Sequence, residues 1–234
     1  MTRDRVIVGV ILLVVAVAVV ARHVVTSTTV LVFAVAIPSI ILHEVSHGVA
    51  ALAFGDDTAF KLGRVSFNPI RHIDPFGTLV LPAVLLLSHS PFLFGYAKPV
   101  PVNPSRMRHP ANDAVWVSLT GPATNLLLAL AAAEWLRIAK PAFLAFGSGP
   151  FSMRIPLAFG FINIVLTVFN LVPIPPLDGS AVIARFLRKE WLPTWYQIRR
   201  YGMIVLLLLV LVKPAWINDV LSPFENWWIR LVTG

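Results

Sequence analysis

The sequence predicts an all-α integral membrane protein of about six transmembrane helices, with one short β-ribbon and one broken helix. Three observations carry that reading. Of the 234 residues, 57% are hydrophobic and only 13% are charged, whereas a soluble domain carries roughly 25% charged residues. Apolar runs recur from end to end with short connections between them, so residues 1–234 read as one membrane domain. The cations gather at the ends of those runs, at Arg3–Arg5, Arg106–Arg108 and Arg185–Arg200, where they would meet anionic headgroups. The net charge of +8 therefore points to a lipid bilayer as partner. It does not point to nucleic acid, because no basic folded module is left over to bind it. There are no cysteines, so any metal site must draw on His, Asp or Glu.

The elements follow in order. Val6–Ala21 is a first span behind a basic start. Ala16-Val17-Ala18 loosely resembles a signal-peptidase site, but a retained helix is expected. Val30–Phe54 is the second span. Gly77–Leu87 is a third, long enough to cross if it continues through Phe94. Val115–Ile138 and Ile155–Val172 are the fourth and fifth, and Met203–Val212 is the sixth. Crossing takes about 20 residues, so the third and sixth are the shortest. Between the second and third, Asp57–Asn68 alternates in part, contains Gly63 and ends at Pro69, which reads as a short β-ribbon. The prolines of Gly95–Pro104 make that stretch an extended loop. Arg185–Arg200 and Asn226–Arg230 mix cations with Trp and Tyr, as interfacial segments do. Lys and Arg divide almost evenly between the two sides, so charge does not set the orientation.

The chemistry starts inside the second span, at His43-Glu44-Val-Ser-His47. Residues four apart on a helix share a face, so the two imidazoles can meet one ion, with Glu44 beside them. Two neutral imidazoles suit zinc, and a carboxylate held off the metal can take a proton from water. This is the H-E-x-x-H pattern of metallopeptidases. Three ionisable groups in one apolar span are costly, at about 2.5–3.5 kcal/mol or more each, and a shared cation would compensate them. Catalytic zinc takes three protein ligands. Among the acids, Asp178 stands apart. It follows the fifth span directly, in Asn170-Leu-Val-Pro-Ile-Pro-Pro-Leu-Asp178-Gly179, where Pro173, Pro175 and Pro176 break the helix. Irregular backbone at membrane depth is tolerated only when buried in protein or lining a cavity. A helix cap on an ordinary span end remains the alternative for Asp178.

These two motifs together resemble the site-2 protease family of intramembrane zinc metallopeptidases. Gly63–Pro69, Phe94–Pro104 and Gly121-Pro-Ala-Thr-Asn125 resemble that family too, so the likeness covers roughly residues 40–180, with a core at about 30–180. The resemblance implies one zinc ion per chain held by His43, His47 and Asp178, and Glu44 as general base. It implies Asn125 and Asn170 as contacts to the substrate or its oxyanion, with interhelical hydrogen bonds as the alternative. It implies transmembrane protein substrates, a multi-pass location in a prokaryotic cell membrane, and a catalytic core lacking a PDZ or CBS domain. The expected ribbon would offer an edge to an unwound substrate. Two other functions use the same residues: a non-catalytic scaffold with structural zinc, against which Glu44 argues, and a cation transporter. Transporters commonly show paired broken helices, and this sequence has one clear break.

Overall fold

The computed structural model describes residues 26–87, 95–139, 151–212 and 214–233. The described chain is helical, and three long helices organise it: α1 (Ser27–Ala53), α4 (Pro110–Ala139) and α5 (Phe151–Leu171). Between α1 and α4 lie a four-residue turn, α2 (Thr58–Lys61), and α3 (Leu81–Leu87), which continues a π-turn at Pro75–Val80. After α5 come α6 (Ser180–Phe186), α7 (Leu192–Val212) and α8 (Pro214–Thr233). Helix α1 opens on a reciprocal cap in which Thr26 Oγ1 accepts the Thr29 N–H at 3.1 Å and Thr29 Oγ1 accepts the Thr26 N–H.

α1, α4 and α5 pack against one another, and α4 against α5 most extensively. Small side chains permit the approach. Ala158 of α5 is fully buried against Leu31 and Val35 of α1. Ala129, Ala132 and Ala133 of α4 meet Leu157, Ile164 and Val168 of α5. Between apolar helices in lipid, such close contact supplies the attraction that hydrophobicity cannot. Helix α8 completes this core with Trp228, whose Nε1 donates to Ala129 O at 3.0 Å. Its ring lies on Gly160, where any Cβ would collide with it. The interfacial role expected for Asn226–Arg230 thus divides: Trp227 is exposed, while Trp228 is a core residue. Trp228→Ala should cost about 3 kcal/mol through the cavity it leaves. That would lower the thermal midpoint in detergent by roughly 10 °C, and an unchanged midpoint would remove Trp228 from the core.

Two expectations about the fold are corrected. Three helices among the described residues are long and apolar enough to cross a membrane, namely Ser27–Ala53, Pro110–Ala139 and Arg154–Leu171; six are not found. Val6–Ala21 and the extension of the third span through Phe94 lie outside the described residues. What is described of the third span is the π-turn and the two turns of α3, too short to cross. The sixth belongs to α7, which starts at Leu192 and so takes in Gln197, Arg199 and Arg200 before the apolar Met203–Val212.

The second correction is the ribbon: no strand occurs among the described residues. Residues 57–68 form α2 and turns, and side chains engage backbone groups there that a ladder would need: Ser66 Oγ accepts the Asn68 N–H, and Arg71 and His72 donate to the Gly63 and Ser66 carbonyls. Asp56 Oδ1 accepts the Thr58 N–H at 3.0 Å and also the Thr58 hydroxyl. Asp57 pairs with Lys61 one turn on, at 2.7 Å, an i,i+4 contact that favours helix. Arg64 donates to the carbonyls of Arg71, Lys98 and Pro99. Across the loop, Asp56 Oδ2 takes the Asn103 N–H at 2.6 Å and Glu44 takes the Val100 N–H. Burial alone would raise the Asp56 carboxyl. The hydrogen bonds from Thr58 and Asn103, with Arg106 nearby, outweigh burial and hold it below its usual range.

Candidate metal centre

His43, Glu44 and His47 lie on the C-terminal half of α1, with both imidazoles buried and Glu44 half-buried. The rings meet edge to face, with centroids 4.7 Å apart. Asp178 reaches them from the far side of the fold. Helix α5 stops at Leu171, and the chain bends through Val172–Asp178, past a cis Pro175–Pro176 bond, before α6 starts. The Gly179 N–H returns to Asn170 O at 2.7 Å and closes the bend. A Cβ on Gly179 would run into Leu171 O, so only glycine permits this closure. Gly202 of α7 lies as tightly against Pro175 O from outside.

The bend carries Asp178 Oδ2 to 3.1 Å from His43 Nε2 and 3.4 Å from His47 Nε2, while the two Nε2 atoms are 3.1 Å apart. The surroundings determine where the imidazole hydrogens lie. His47 Nδ1 faces the Val117 carbonyl at 2.7 Å, and a carbonyl only accepts. His43 Nδ1 faces Asn125 Oδ1 at 2.6 Å, since the other amide atom of Asn125 donates to Asn163 Oδ1 at 2.7 Å. Both rings thus carry hydrogen on Nδ1 and present an Nε2 lone pair to Asp178. The carboxylate oxygen Asp178 Oδ2 is buried and accepts no hydrogen bond. Three lone-pair atoms gathered this closely repel one another unless a cation lies among them. Their spacing matches the about 3.3 Å between tetrahedral zinc ligands with bonds near 2.0–2.1 Å. Among the described residues this is the one cluster of metal-binding side chains, and it fits zinc.

The remaining expected residues have these positions. Glu44 accepts the Val100 N–H through Oε2 at 2.8 Å, beside the triad and separate from it. Asn125 is completely buried, with Oδ1 turned to His43 and Nδ2 to Asn163. Asn170 Nδ2 donates along its own helix to Leu166 O at 2.9 Å. Gly121, which the sequence marks only as the start of its motif, lies against both rings, and a Cβ there would fall 2.5 Å from His43 Cε1 and from His47 Nε2. Other residues around the triad escape reading by motif. Ser39, Asn163 and Thr167 are polar and buried within apolar helices. That cost of polar groups at membrane depth, the signal that singled out His43, would have found them as well.

A helical protein whose apolar helix carries H-E-x-x-H, closed by an aspartate from the bend that follows another apolar helix, has the donor set of a membrane zinc metallopeptidase. The comparisons with known proteins agree. The family model for peptidase family M50 matches residues 148–212, the part that includes Asp178. The chain is 38% identical over 193 residues to "Putative zinc metalloprotease YwhC" of Bacillus subtilis, spanning 81% of this chain and 83% of that one. It is 30% identical over 200 residues to "Putative zinc metalloprotease Rip2" of Mycolicibacterium smegmatis, spanning 83% and 68%. No solved structure matches. The chain belongs to peptidase family M50, the site-2 protease family; it is a membrane protein and a zinc metalloendopeptidase, with zinc as cofactor.

Proposed function

We propose that the protein cleaves peptide bonds within or beside the transmembrane segments of other membrane proteins, with His43, His47 and Asp178 holding zinc and Glu44 as general base. One observation carries the reading. The H-E-x-x-H residues belong to Ser27–Ala53, a helix long and apolar enough to cross a membrane. His43 lies ten residues before its end, about 15 Å at 1.5 Å per residue, near the middle of a hydrocarbon core about 30 Å thick. A site at that depth supports processing of the substrate within the membrane. A multi-pass arrangement built on α1, α4 and α5, in the cell membrane of a prokaryote, accords with that depth.

Zinc, when bound, supplies Lewis acidity that lowers the pKa of water toward about 7 and polarises a carbonyl. The chain's own groups supply the rest. Glu44 Oε2 is held beside the triad by the Val100 N–H, where it can take a proton from water and return it to the leaving amine. The Nδ1–H bonds to Asn125 and to Val117 keep the imidazoles neutral at Nε2 and fixed in orientation. The backbone of Val100 lies on an extended loop next to this base, so a substrate backbone arriving there meets the base and the loop together.

The test uses purified full-length protein in liposomes with a single-span model helix that contains a Gly-Pro break and carries a tag at each end. Cleavage within the span, abolished by a zinc chelator and restored by added zinc, is expected. No cleavage by zinc-loaded protein, or cleavage confined to a water-soluble peptide, would overturn the reading.

A further inference from the structure

The centre is tied to a chain of polar side chains that passes through three helices. It starts and ends on α1. Ser39 Oγ donates to Val35 O at 2.8 Å, which leaves its lone pairs to receive Asn163 Nδ2 at 2.9 Å. The second Nδ2 hydrogen of Asn163 goes to Phe159 O at 2.8 Å. With both hydrogens committed, Asn163 can only present Oδ1 to Asn125, and it accepts Asn125 Nδ2 at 2.7 Å. The longer contact of Asn125 Nδ2 with Ser39 O, at 3.4 Å, agrees in direction. Asn125 must then turn Oδ1 to His43 Nδ1, 2.6 Å away. Ser39, Asn125 and Asn163 are all completely buried, so water cannot substitute for a missing partner.

Each link removes one choice from the next. An isolated buried Asn can present either amide atom to an imidazole. With Oδ1 forward, it selects the tautomer with hydrogen on Nδ1 and a lone pair at Nε2. With Nδ2 forward, it would select the opposite tautomer and place a hydrogen where the metal belongs. We propose that Asn163, supported by Ser39, is a positioning residue: it fixes the orientation of the Asn125 amide and through it the zinc-binding tautomer of His43. The inference rests on His43 being a zinc ligand. Partners of this kind, beyond a ligand, typically change metal affinity by about 10–100-fold.

The test measures the zinc dissociation constant of purified full-length protein in detergent, by competition with a chromophoric chelator. His43→Ala comes first. If it leaves the affinity unchanged, the zinc assignment fails before any positioning residue is examined. With that control in hand, Asn163→Leu, close in shape but without either amide atom, should weaken zinc binding by about 10–100-fold. Ser39→Ala should act in the same direction with smaller effect, and it serves as the second variant if Asn163→Leu does not fold. The decisive measurement is the double variant. In an Asn125→Ala background, Asn163→Leu should change zinc affinity by no more than about twofold, because the route to His43 is already cut. Unaltered affinity in Asn163→Leu, or an equal further loss in the Asn125→Ala background, would overturn the proposal and reduce Asn163 to a packing residue.

Discussion

Glu44→Gln should give a folded protein that retains about one zinc per chain and has lost peptide hydrolysis by at least about 10²-fold, and as much as 10⁴-fold, the range over which positioned acid–base groups act. The substitution is nearly isosteric. A glutamine oxygen can still accept the Val100 N–H now held by Oε2 at 2.8 Å, so the neighbouring loop keeps its anchor. The contacts among His43, His47 and Asp178 are left in place. What disappears is the basic lone pair on an ionised carboxylate. Zinc content by elemental analysis and cleavage of the model span, measured on one preparation, separate the two properties. Cleavage within a few-fold of the unmodified protein would remove Glu44 from its role. Loss of zinc together with activity would show that Glu44 belongs to the metal site instead of acting beside it.

Much of this centre was legible because helical spacing is a local property. His43 and His47 are one turn apart, and α1 places their Nε2 atoms 3.1 Å from each other. Asp178 was legible for a different reason: prolines after an apolar run require a break, and a break at depth must be buried. That Asp178 Oδ2 approaches those two Nε2 atoms is a tertiary fact that no local pattern contains. The ribbon shows the opposite case. Alternation over residues 57–68 suggested strand, but backbone pairing also needs unengaged partners. Here side chains take the Thr58 and Asn68 N–H groups and the Gly63 and Ser66 carbonyls. Trp227 and Trp228 make the same point within one dipeptide. Aromatic composition near a cation predicts an interface for both, yet one is exposed and the other fully buried on Gly160. The spans depended on what surrounds each apolar run: ten apolar residues at Met203–Val212 follow a polar half-helix within α7.

Gly121→Ala should empty the metal site by adding one methyl group. The Cβ would lie 2.5 Å from His43 Cε1, 2.5 Å from His47 Nε2 and 2.6 Å from His43 Nε2, closer than real Cβ contacts come. Flexible side chains could yield to such a clash at little cost, but these two are pinned. His47 is held by Val117 O, about one turn from Gly121 on the same helix, and His43 is held by the buried Asn125 amide. Rotating either ring away breaks its Nδ1 bond and turns its Nε2 from Asp178. Moving α4 outward instead would disturb the packing of Val117 against Ala51. Each outcome costs a ligand or its orientation, so zinc affinity should fall by about 10²-fold or more, at the upper end of what orienting partners contribute. Hydrolysis should fall with it, and excess zinc should restore little because the geometry itself has changed. Zinc titration of the purified variant reads the first effect, and cleavage of the model span at saturating zinc reads the second. Unaltered affinity would mean that α1 and α4 are farther apart at this point than the close approach of Gly121 to both imidazoles requires.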